Sequence, residues 1–124
     1  MVQRYLFRII GLCLLFMAVN ISPAEAQDDY YRRKAEGYQR EADYYLKRAE
    51  SYYREADYYL KRVESYNREV EYYSNRGDVD AVQRYMRYMS DAMEKYERQI
   101  KYAKEAEERA STYLKWASDA LSRQ

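Results

Sequence analysis

From Asp29 onward, apolar side chains recur at alternating intervals of three and four residues. Ala35, Ala42, Ala49, Ala56, Val63 and Val70 fall at position a of a heptad, and Tyr31, Tyr38, Tyr45, Tyr52, Tyr59, Tyr66 and Tyr73 at position d. A period of 3.5 kept without interruption predicts a long helix with a single apolar seam. Two heptads make one unit of a fourteen-residue repeat: DYYRRKAEGYQREA from Asp29, DYYLKRAESYYREA from Asp43, DYYLKRVESYNREV from Asp57, and a fourth start at Glu71. Acid precedes base by four residues in Glu36/Arg40, Asp43/Lys47, Glu50/Arg54, Asp57/Lys61 and Glu64/Arg68, the favourable order on a helix surface.

The first series stops at Asn75, Arg76, Gly77 and Asp78. Glycine suits the left-handed position after a helix, Asp78 can cap the next one, and Asp80 adds an anion to its first turn. A second series follows at Val82, Tyr85, Met89, Ala92, Tyr96, Gln99, Ala103, Ala106, Ala110, Tyr113, Ala117 and Ala120. The pattern therefore predicts helices over about 29–76 and 79–122, with a turn at 76–78.

Folding the chain back at the turn pairs the two series at a constant sum of residue numbers: Tyr73 with Val82, Val63 with Ala92, Tyr59 with Tyr96, Ala49 with Ala106, Tyr45 with Ala110, and Ala35 with Ala120. Most layers set a ring against a small residue, which lets facing helices interdigitate. The expected fold is all-α: an antiparallel two-helix coiled-coil hairpin with arms about 65 to 70 Å long. Gln99, Glu107 and the layers of paired alanines are its weakest points.

The flanks of the seam differ. Leu46, Tyr53 and Leu60 on the first arm, with Met86, Met93, Ile100, Leu114 and Leu121 on the second, make the e flank apolar. A stripe this wide predicts that hairpins dimerise into a four-helix bundle; a wider seam within one hairpin is the competing reading. On the g flank, Tyr44, Tyr58 and Tyr72 are expected to approach Trp116, Tyr102 and Tyr88. Basic pairs, Arg48 with Arg109 and Arg62 with Lys95, are expected between them. This alternating aromatic and basic face suits packing, a partner protein, or stacking against a polymer or glycan.

Residues 1–26 have the organisation of a cleavable signal peptide. Arg4 and Arg8 form a positive region, Ile9 to Val19 is apolar, and Ala24-Glu25-Ala26 offers a cleavage site. The expected product, 27–124, is a single helical hairpin exported from a bacterial cell, either periplasmic or secreted. Cys13, both Phe and the only Pro leave with the leader, so a disulfide scaffold is excluded. Retention in a membrane would need about 20 apolar residues.

Composition narrows the function further. The 22 basic and 21 acidic residues nearly cancel, so nothing gathers nucleic acid by charge. The chain has no His, and with Cys13 removed neither a conventional triad, a Cys nucleophile nor a His-metal site can form. No enzyme activity and no cofactor are expected. Met86, Met89 and Met93 share a helical face and are weak candidates for Cu(I), although methionine more often fills a core. Arg76-Gly77-Asp78 matches the RGD adhesion tripeptide, but the turn itself demands each of these residues. Asn75, Asp78 and Asp80 lack the spacing of a calcium loop. The sequence thus points to an exported structural or interaction protein whose first partner is itself. An unidentified exported protein or cell-envelope polymer is a further partner.

Overall fold

The structure is a computed structural model that describes residues 29–123. The leader features named above, including Cys13 and Ala24 to Ala26, lie outside the described residues. Two helices account for 96% of the described residues and pack against each other as a hairpin: α1, Asp29–Asn75, and α2, Val79–Ser122. No helix of the described residues is long and apolar enough to cross a membrane.

The turn is built from one residue of left-handed backbone. Gly77 has φ of +73°. Its N–H donates to the Ser74 carbonyl at 3.1 Å, and the Asp78 N–H donates to the Tyr73 carbonyl at 3.1 Å. These two bonds form the Schellman arrangement that satisfies the last carbonyls of a helix. Asp78 also opens α2, its Oδ1 accepting the Ala81 N–H at 3.1 Å. One residue therefore closes α1 and caps α2, which is why three residues suffice between them.

The helices divide into two compact units. The first joins residues 29–51 of α1 to residues 103–123 of α2; the second comprises residues 52–102 and contains the turn. In the first unit, Ala42, Leu46, Ala110 and Leu114 form a buried cluster with Tyr45 and Tyr113 against it. Ala35, Ala117 and Ala120 form another with Tyr38 and Leu121. In the second unit, Tyr53, Ala56, Val63, Ala81 and Ala92 are buried.

Of the residues expected at a, Ala35, Ala42, Ala49, Ala56 and Val63 are buried, and Val70, near the turn, is half-buried. The d tyrosines differ, since all seven are only half-buried. Each phenol hydroxyl favours a polar outlet, which keeps its ring partly at the surface. Apolar burial moves instead to the e flank, where Leu46 and Leu114 are each 6% exposed and Tyr53 is 5% exposed.

Of the expected acid-to-base pairs, Asp43/Lys47 and Asp57/Lys61 close at 3.0 and 3.1 Å. They lie on exposed faces, where such pairs add little stability.

Candidate functional site: repeated aromatic and basic clusters

The repeat folds into a recurring side-chain cluster. Its two adjacent tyrosines meet edge to face: Tyr30 with Tyr31 at 5.1 Å, Tyr44 with Tyr45 at 5.2 Å, Tyr58 with Tyr59 at 5.2 Å, and Tyr72 with Tyr73 at 5.0 Å. One helical turn later a cation lies over the first ring. Lys34 is 5.9 Å from the Tyr30 centroid, Arg48 5.6 Å from Tyr44, Arg62 5.7 Å from Tyr58, and Arg76 4.4 Å from Tyr72. Spacing of four residues along a helix makes these contacts possible.

The second helix adds an alternation of its own. In the first unit, Tyr38 meets Trp116 at 5.7 Å, while Arg109 lies 5.6 Å from Tyr45 and donates to its hydroxyl at 3.3 Å. In the second unit, Tyr52 meets Tyr102 and Tyr66 meets Tyr88, both at 5.6 Å, while Lys95 lies 5.8 Å from Tyr59. Tyr88, Lys95, Tyr102, Arg109 and Trp116, seven residues apart on α2, thus each reach a d tyrosine of α1.

This corrects the expected g-flank pairing. Trp116, Tyr102 and Tyr88 have Tyr38, Tyr52 and Tyr66 as first-helix ring partners, rather than Tyr44, Tyr58 and Tyr72. Position g lies beside d across the seam, whereas c is displaced around the helix and meets its own neighbour. The basic residues likewise engage rings. Arg48 donates to the Tyr44 hydroxyl at 2.9 Å, and Arg62 donates to the hydroxyls of both Tyr58 and Tyr66. The Arg62 guanidinium has its pKa raised, first by its bond to Tyr66, and Arg109 has its pKa raised by its bond to Tyr45.

The remaining sequence candidates fall into three groups. Leu46, Tyr53 and Leu114 are buried within the chain; Leu60, Ile100 and Leu121 are half-buried; Met86 and Met93 are 50% and 36% exposed. Met89 is half-buried, so the three methionines do not share one environment. Among the described residues, no group of three His, Cys, Asp or Glu side chains is placed to hold a metal ion. Arg76 lies over Tyr72 and Asp78 caps α2, giving both charged ends of the RGD tripeptide a local role.

One groove, of about 240 Å³, lies wholly within the first unit. Tyr31, Lys34 and Tyr38 line it from α1; Trp116, Asp119, Ala120 and Arg123 line it from the α2 end. Trp116 is 45% exposed and meets Tyr38 and Tyr113 edge to face. The sequence signals Trp116 and Tyr38, but Lys34, Asp119 and Arg123 read there as ordinary surface charge. Their fourteen-residue relation to Arg48, Glu105 and Arg109 is the signal that finds them.

The fold and these clusters define a helical hairpin with a periodic tyrosine and cation surface. Comparison with known protein families, with curated proteins and with solved structures gives no match.

Proposed function

We propose that the chain is a non-enzymatic exported structural or interaction protein, a coiled-coil hairpin that self-associates and acts as a spacer. Burial at every seventh residue from Ala35 to Val63 supports the heptad reading. The observation that carries self-association is the exposure of Met86 and Met93 on the flank that also bears half-buried Leu60 and Ile100. Exposed thioethers beside aliphatic side chains favour apolar contact with a second surface. A second copy brings the same stripe, and pairing would give a four-helix bundle.

Sedimentation of the purified protein at micromolar concentration tests this reading. A dimer is expected, and the combined Leu60→Lys and Ile100→Lys substitutions should return it to monomer with helicity retained. A monomeric wild type would reject self-association.

A second reading has its own support. The outer rings Tyr44, Tyr58, Tyr72, Tyr88, Tyr102 and Trp116 are all substantially exposed, and cations accompany them along the repeat. Such a face suits an exported partner or a cell-envelope polymer whose rings stack on tyrosine. Tyr58→Ala should then weaken partner binding without changing the assembled mass.

A further inference from the structure

The residues of the groove at Trp116 have counterparts in the second unit. Two repeats on along α1, Tyr31, Lys34 and Tyr38 become Tyr59, Arg62 and Tyr66. Two repeats back along α2, Trp116, Asp119 and Arg123 become Tyr88, Asp91 and Lys95. Every position keeps its chemistry: ring, cation, ring, ring, carboxylate, cation.

The two copies differ in what their cations do. In the second unit, Arg62 is held by the hydroxyls of Tyr58 and Tyr66, and Lys95 lies over Tyr59. In the first unit, Lys34 lies over the Tyr30 ring of its own repeat at 5.9 Å. Neither Asp119 nor Arg123 has an ion pair among the described residues. The cations of the second unit are thus engaged by additional rings and phenol oxygens, whereas in the first unit an indole replaces the tyrosine beside them.

We propose that this groove is a binding site for an acidic saccharide, a pyranose ring bearing a carboxylate. The exposed indole of Trp116 offers a flat apolar surface to the C–H face of a sugar. Lys34 and Arg123 supply charge-assisted donors for the carboxylate, as Arg62 supplies donors to phenol oxygens in the second unit. Asp119 accepts from ring hydroxyls, and this separates a sugar from a ligand with acceptors only. Two cations against one carboxylate leave a single net positive charge, which suits a monoanionic ring. The site is complete within one unit of one chain and does not depend on self-association.

Trp116 is the only tryptophan, so its fluorescence reports on this groove alone. Titration of the purified protein with trigalacturonic acid should give a saturable change in emission. Lys34→Gln and Asp119→Ala should each weaken binding about tenfold, the loss expected for one charge-assisted contact. Lys61→Gln, an exposed lysine paired with Asp57 in the second unit, should leave it unchanged. Circular dichroism of each variant should match the wild type, since both groove substitutions are at the surface. Absence of a fluorescence change overturns the proposal. So does equal affinity for a neutral galactose trisaccharide, tighter binding of adenosine monophosphate or 4-hydroxyphenylacetate, or an equal loss in Lys61→Gln. A chain that still dimerises yet fails this titration counts against the groove only.

Discussion

Arg109 donates to the hydroxyl of Tyr45 at 3.3 Å while its guanidinium carbon lies 5.6 Å from the centroid of the same ring. The bond joins α2 to α1 on an exposed flank, where water competes for both partners. Its hydrogen bond raises the Arg109 pKa. A raised value means that the interaction is fully present below the ordinary arginine range and is lost only as pH climbs through the higher folded value. Arg109→Gln should therefore melt in parallel with wild type between about pH 4 and 8, and a widening gap in acid would show that another group is coupled to this pair.

At Gly77 a Cβ would meet nothing within 4 Å, so space does not restrict the position. Only the backbone does, because φ is +73°. Gly77→Ala should cost about 1 to 2 kcal/mol, the penalty of left-handed backbone for an L side chain. Urea unfolding followed by circular dichroism measures it.

Gly37 gives the opposite sign. It lies inside α1, and a Cβ there would come no closer than 3.9 Å, to the flexible end of Arg40. Gly37→Ala should stabilise by about 0.5 to 1 kcal/mol through helix propensity. The same urea experiment should show a higher midpoint with an unchanged slope.

Ala42 and Ala110 are fully buried in one cluster of the first unit. Ala110→Leu should cost about 1 to 3 kcal/mol by forcing close-packed backbones apart. Thermal denaturation reads the loss, and an increase in stability would show that the cluster holds unfilled space.

The Asp78 carboxylate has a capping role that any adhesion assay must separate from recognition. Asp78→Ala should lose about 1 kcal/mol of stability, whereas Asp78→Asn should retain most of it because the amide oxygen can still accept from Ala81. If integrin-type adhesion is real, Asp78→Asn abolishes cell attachment while keeping the melting temperature. Attachment that survives this change excludes the RGD reading.

Much of the fold was legible because a seven-residue spacing leaves few alternatives: Ala35 through Val63 are buried where the pattern puts them, and Gly77 turns the chain. The depth of the tyrosines was not legible. Heptad position alone treats Tyr45 and Leu46 as core and flank, yet Leu46 is the more buried. The deciding feature is the phenol hydroxyl, which holds the ring partly at the surface, while Leu46 has no polar atom to keep in water. The ring partners are set by contacts within one helix as well as across the seam. Repeat spacing alone sets Tyr44 across the seam, but Tyr45, adjacent in the chain, reaches it first. Arg76 shows the reverse case. Read alone it belongs to an adhesion tripeptide, while the repeat makes it the fourth member of the series Lys34, Arg48, Arg62.

Because Asp78 terminates one helix and initiates the other, the turn contains no residue free to absorb a change in helical phase. A single residue inserted after Asp78 would rotate α2 by about 100° relative to α1. Ala92 would then leave the seam and polar neighbours would enter it. The turn works as a phase lock: the angular setting of Asp29–Asn75 dictates that of Val79–Ser122, and drift between the two periodic surfaces would have to break a cap before it could begin.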